Sequence, residues 1–298
     1  MDMMKMILNI AILTFMTGST MSFANSPGVL VLAHGVSGHS DEHGGGHGGH
    51  HPPREGTWEK TVRALVAEAS IRGSFPVELA FGMWDRDSFQ AGVDRLVARG
   101  ATELRVVPLF ISSYSMVIRA QHYLFGLREE NPLWFDPGRI SIPSVIAKVT
   151  FSPALNDSPE LSEALGRRAR ELTENPALEE LVLVAHGPVS DEDDELWLGD
   201  LRVHASRIGT GHLVHVITLR DDAPKEVRDE MTRRLREIVT GISSRGRTAL
   251  VLPVLLAPGG IEAGLLERLK GLSYRYRGRM LAPDPSLVNW ITRMTQEF

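Results

Sequence analysis

Cysteine is absent from all 298 residues. That excludes disulfides, thiolate metal sites and a lipidated N-terminal cysteine, and leaves the chain to be held by its core alone. Positive charge is not in excess either, since 32 lysines and arginines face 37 aspartates and glutamates, for a formal net charge of −5. A chain without global basic character is not drawn to nucleic acid or to anionic lipid, so neither is expected as a partner. Long hydrophobic runs are missing with one exception, "MILNIAILTFMTG" near the start, which Thr14, Thr17 and Gly18 interrupt. It falls short of the roughly 20 apolar residues a spanning helix needs. Lys5 before it and Ser22-Phe23-Ala24 after it make a Sec-type signal over residues 1–24 the expected reading, with an uncleaved anchor as the alternative. The mature chain is then expected to be exported, periplasmic or equivalent, without a membrane span.

What is present is a repeated unit. "LVLAHG" ends in Ala33-His34-Gly35 and "LVLVAHG" ends in Ala185-His186-Gly187. After His34 comes a loop and then a helix pattern with Trp58, Val62, Leu65, Val66 and Ala69 on one face. After His186 the same order brings Trp197, Leu201, Ala205 and Ile208 to one face, over a helix beginning at Glu195. Trp58 follows His34 by 24 residues and Trp197 follows His186 by 11, a difference of 13 equal to the run His39 to His51. The segments 77–84 and 212–219 read as strands, each followed by a helix. "ELRVVPLFI" and "TALVLPVLLA" are near-continuous apolar runs, as in strands buried on both faces. Pro108 and Pro253 cannot donate to a ladder and belong at strand ends or bulges. Each unit closes with a strand, a proline-rich turn and a helix.

Strands alternating with helices predict an α/β fold of two tandem units, each a roughly four-stranded parallel sheet flanked by helices, with a cleft between them. Residues 27–177 form the first unit, with a His-rich insert at 39–51, and residues 178–298 the second. "TENPALEE" is the joint.

Ligands of parallel sheets bind beyond the carboxyl ends of the strands. His34 and His186 each end the first strand of their unit, and the glycines after them are expected to permit a sharp exit that a side chain would block. One imidazole then stands at the mouth of each half. His39, His43, His47, His50 and His51 follow on a glycine scaffold, and the second unit carries "SDEDDE", Ser190 to Glu195, at the same place. Imidazole suits Zn²⁺, Ni²⁺, Co²⁺ and Cu²⁺, while carboxylates add hard oxygen ligands. The insert reads either as a fluctuating metal collector or as a solvated low-complexity loop that binds metal as any histidine tag does. His122 and His204 sit beside helical apolar stripes and are expected to be packing or surface residues, and His212 and His215 flank a strand.

The strand-His-Gly opening, Pro108-Leu109-Phe110, the Pro-Ala-Leu-x-x-x-Pro turn at Pro153 and the two-unit layout resemble the sirohydrochlorin cobaltochelatase and ferrochelatase family, the class II chelatases. The resemblance implies insertion of Co²⁺, Fe²⁺ or Ni²⁺ into a modified tetrapyrrole in a cleft between two α/β units, without a nucleotide. It makes His34 the metal-binding histidine and His186 its counterpart, both also candidate bases. A second family histidine falls here at Met116 and Ile261, so the usual pair is incomplete in both halves, and Glu262 is the candidate proton acceptor one residue on. Insertion needs a ligand for a partly dehydrated ion and a base for two pyrrole protons, and neutral imidazole serves either role near pH 7. The expected function is therefore metal insertion into a sirohydrochlorin-type tetrapyrrole. The alternative is an exported, non-catalytic protein that binds metal or tetrapyrrole. Nothing in the pattern bears on oligomeric state.

Overall fold

A computed structural model describes residues 26–35, 57–209 and 211–296. In chain order these form β1 (Pro27–Ala33), α1 (Thr57–Arg72), β2 (Val77–Phe81), α2 (Arg86–Ala98), β3 (Glu103–Leu109), α3 (Met116–Leu124), β4 (Lys148–Phe151) and α4 (Pro159–Leu172). After a short turn at Pro176–Leu178 follow β5 (Glu179–Ala185), α5 (Asp191–Arg207), β6 (Leu213–Thr218), α6 (Lys225–Ser244), β7 (Thr248–Pro253), α7 (Gly260–Arg268) and α8 (Pro285–Gln296). All strand pairs are parallel, in the orders β2-β1-β3-β4 and β6-β5-β7. Pro108 is next to last in β3 and Pro253 is last in β7, so the missing donors fall where the ladders stop.

The central strands β1 and β5 are buried along their whole length. In each, alternate residues serve different cores. Val29, Val31 and Ala33 join Leu181, Leu183 and Ala185 in one apolar cluster between the sheets, whereas Leu30 and Leu32 pack outward against α2 residues, and Val182 and Val184 outward against α6 residues. Each fully buried valine or leucine contributes about 1.5–3 kcal/mol. The halves thus share one core, and α1, α4, α5 and α8 fill it. The last helix of each half reaches across: α8 packs on α1 and α4 and meets β3, while α4 packs on α5 and meets β7. Ser158 caps α4 and Pro159 opens it, the sense of the proline-rich turn read from the sequence.

The second sheet has three strands, not the expected four. Its would-be fourth strand runs beside β7 and bonds at two separated places, Arg275 N–H to Ala249 O and Leu281 N–H to Leu255 O. Between them Gly278 adopts a left-handed φ of 65°, which breaks the ladder. The β2 edge of the first sheet is covered by arginine. The carbonyls of Val77 and Leu79, which point away from β1, accept from Arg99 Nη1 and Arg95 Nη2, each at 3.4 Å. Glu78 holds both guanidinium groups in place, at 2.9 and 2.7 Å. A covered edge does not template pairing with another chain. Among the described residues no helix is long and apolar enough to cross a membrane. The proposed signal, residues 1–24, lies outside them.

Candidate functional site

His34 is the first residue beyond β1 and His186 the first beyond β5. The two backbones are fixed differently. Trp58 of α1 donates its indole Nε1–H to His34 O at 2.6 Å, whereas His186 O accepts from Leu219 N–H at 3.1 Å and Arg220 N–H at 2.6 Å. The His34 ring reaches solvent. Even so, protein packed around it lowers its pKa from the ordinary histidine value, and the charge of a protonated His186 lowers it further. The two imidazoles are therefore within Coulombic reach of each other, which the repeat alone left open. His186 is partly buried, and its Nε2 finds no hydrogen-bond partner among the described residues while lying 3.5 Å from Asp222 Oδ2.

The repeated glycines are not equivalent. Gly187 has φ 79°, and a Cβ there would stand 2.5 Å from Thr218 Cβ, so no side chain fits. Gly35 lies outside the left-handed region, and its Cβ would come no closer than 3.5 Å to Gly82 N and Phe81 Cβ, an ordinary contact. The expected need for glycine holds at one exit only.

The acidic run corrects a second expectation. Ser190 to Glu195 is not a loop. Ser190 caps α5 and the acids form its first turn, where carboxylates favour the positive helix terminus. Four of the five acids have structural partners: Asp191 accepts from Arg220 at 2.7 Å, Asp193 from Arg119 at 2.7 Å, Asp194 from Thr218 Oγ1 at 2.6 Å and Glu195 from Arg202 at 2.6 Å. Glu262 sits half-buried in the first turn of α7 and accepts the Tyr276 hydroxyl. Burial and that carboxylate push the Tyr276 phenol well above the usual tyrosine range. Met116 opens α3, and Ile261 packs at the rim of the outer core of the second half. His39, His43, His47, His50 and His51 lie outside the described residues. Among those described, no group of three or more histidines or carboxylates is placed to hold a metal.

Several residues around this mouth escaped the sequence reading. Arg220, at φ 53°, clamps the loop after His186 by donating to Pro188 O, Val189 O and Asp191. Arg119 joins α3 to α5. Asp200, on the inner face of α5, has an Oδ2 without a hydrogen-bond partner among the described residues. Burial, with the nearby charge of Asp157, pushes its carboxyl up to about 6. An arginine within the apolar α3 and an aspartate between Trp197 and His204 were visible oddities, but their partners are distant in sequence. Of the remaining histidines, His122 meets Phe151 edge-on at 4.4 Å and His204 is buried, whereas His215 lies within β6 and not at its flank, with its Nε2 2.7 Å from Glu180 Oε2.

The CbiX family model matches residues 46–172. Among curated proteins no sequence match was found. Two solved structures share the fold over nearly the whole chain. SirB from Bacillus subtilis with Fe3+ superposes with a TM-score of 0.62 at 16% identity, covering 91% of this chain and 95% of that one. The sirohydrochlorin chelatase SirB from Bacillus subtilis subspecies spizizenii in complex with cobalt gives 0.58 at 14%, covering 91% and 94%. At such identities the likeness is one of fold. Over residues 46–172, a little under half of its length, the chain is therefore similar to the CbiX family, and the fold it shares with the two SirB structures agrees with the resemblance to class II chelatases.

Proposed function

We propose that this chain is an exported chelatase that inserts a divalent metal, Co²⁺, Fe²⁺ or Ni²⁺, into a sirohydrochlorin-type tetrapyrrole. The observation that carries the reading is the convergence of His34 and His186 from equivalent strand ends to within Coulombic reach. A lowered pKa leaves His34 neutral near pH 7, the state that can bind a metal ion or accept a pyrrole proton. The metal and the tetrapyrrole are substrates, and no nucleotide takes part. Residues 1–24 direct the chain to the periplasm, and residues 39–51 gather metal near the mouth, raising its local concentration as tethered sites do.

The test is the rate of Co²⁺ or Fe²⁺ insertion into sirohydrochlorin by the mature protein. Catalysis above the uncatalysed background, lost in His34→Ala and reduced in His186→Ala, is expected; a rate equal to background refutes insertion. A second reading, a carrier that binds metal or tetrapyrrole without turnover, is favoured by Met116 and Ile261 at the positions of the second family histidine. It predicts stoichiometric binding, with a Soret band in the purified protein if the cargo is a tetrapyrrole.

A further inference from the structure

Away from the mouth, a buried histidine stitches the halves together. His204 of α5 is 1% exposed and Ser162 of α4 is 6% exposed. His204 Nε2 lies 2.7 Å from the carbonyl oxygen of Asn156, and its Nδ1 lies 2.7 Å from Ser162 Oγ. A carbonyl only accepts, so Nε2 carries the hydrogen. In the neutral ring Nδ1 then accepts from the serine hydroxyl. Burial lowers the pKa of His204, in keeping with a neutral ring.

Asn156 is itself a junction. It occupies the turn between β4 and α4 with φ 41°, a left-handed conformation that asparagine tolerates better than most residues. Its N–H donates to Ile111 O at 2.8 Å, and its Oδ1 accepts from Ser113 N–H at 2.7 Å. Ser113 Oγ accepts from Ala154 N–H at 2.9 Å, so the turn and the loop after β3 form one hydrogen-bonded piece. That loop leaves the sheet beside His34, because Leu109 at the end of β3 pairs with Ala33. On the other side, α5 begins at Asp191, shortly after His186. The helix therefore bonds to the first half near both ends, at Asp193 with Arg119 and, about three turns on, at His204 with Asn156 and Ser162 and at Arg207 with the Asp157 carbonyl.

We propose that His204 is a positioning residue: by donating to the Asn156 carbonyl it sets α5, and with it His186, in register with the loop beside His34, and so fixes the spacing of the two imidazoles. This rests on the reading of His34 and His186 as the metal site. A helix held at two separated points cannot pivot, and second-layer contacts that orient metal ligands commonly change affinity by about 10–100-fold when lost.

The two ring nitrogens make the idea separable from a merely structural role. In His204→Gln the longer amide can still donate to Asn156 O but loses Ser162. In His204→Asn the shorter amide can still meet Ser162 but loses Asn156. The mature full-length chain is titrated with Co²⁺, following the visible absorption bands, and His34→Ala defines the part of the signal that belongs to the site. The Gln variant is expected to keep the parent's spectrum and Kd. The Asn variant is expected to weaken Kd by about tenfold or more and to shift the bands, although both variants melt earlier than the parent. Equal affinity and spectra for the Gln and Asn variants would overturn the positioning role while leaving the metal site standing. A Co²⁺ signal that His34→Ala does not alter would instead overturn the site itself, and the inference with it.

Discussion

Arg119 of α3 and Asp193 of α5 form a 2.7 Å ion pair between the two halves, with side chains 34% and 14% exposed. The carboxylate is also held by the Ser190 hydroxyl at 2.7 Å, so it meets the guanidinium without having to be ordered first. Arg119→Ala is expected to cost about 1 kcal/mol, at the upper end for ion pairs that water can still reach. Urea unfolding checks it: the midpoint should fall at constant m, and the difference from the parent should shrink in 1 M salt. An unchanged midpoint would mean that the pair contributes nothing.

The two Ala-His-Gly segments should respond unequally to the same substitution. Gly187→Ala places a Cβ 2.5 Å from Thr218 Cβ at φ 79° and is expected to destabilise by about 2–4 kcal/mol or prevent folding. Gly35→Ala meets only ordinary contacts and should change stability by less than about 1 kcal/mol. Thermal melts of both variants decide it, and equal losses would contradict the geometry.

A similar contrast applies to the paired tryptophans. Trp58→Phe removes the donor to His34 O and should cost about 1–2 kcal/mol, with weaker metal binding as the His34 backbone loosens. Trp197 Nε1 is buried without a hydrogen-bond partner among the described residues, so Trp197→Phe loses ring volume but no such bond. Melting temperatures together with Co²⁺ affinity separate the two, and a larger loss of affinity at Trp197 would reverse the assignment.

Asp200 gives a pH dependence of definite sign. Its folded-state pKa, near 6, lies above the ordinary 3.8, so the folded state holds the proton more tightly. The penalty for ionising it is absent below the unfolded value, grows as pH rises through this window and is constant above it. Asp200→Asn is thus expected to raise stability at pH 7 by on the order of 1 kcal/mol, discounted because the carboxyl is only partly buried. The gain should vanish near pH 4. Melting curves from pH 4 to 7 test this; a variant less stable than the parent at pH 7 would show that the ionised carboxylate has a stabilising partner.

Much of the scaffold was legible along the chain. The apolar runs ending at Ala33 and Ala185 became the central strands, and the helical stripe Val62, Leu65, Val66 and Ala69 became the buried face of α1. The segment read as a joint, "TENPALEE", runs from just after α4 into the start of β5. Of the candidate site, the placement of His34 and His186 just past their strands was readable, because a strand-end position is a local property. The run from Asp191 to Asp194 looked like free ligand oxygen, yet Arg220, Arg119 and Thr218 claim three of its four carboxylates. Those partners lie up to 74 residues away, beyond any short pattern.

The sequence by itself determined the alternation of strands and helices, the duplication and the placement of one imidazole at the end of each first strand, since all of these follow from periodicities and spacings within a few turns of chain. Tertiary structure decided the rest. Packing made one shared core of the repeats, carried α4 and α8 across to the opposite halves, and replaced the last strand of the second sheet with an irregular segment. It also brought His34 within the field of His186 and bound Asn156 to His204. Hydrophobic burial is nondirectional and joins whatever apolar faces fit, so contacts between distant residues are settled only when those faces meet.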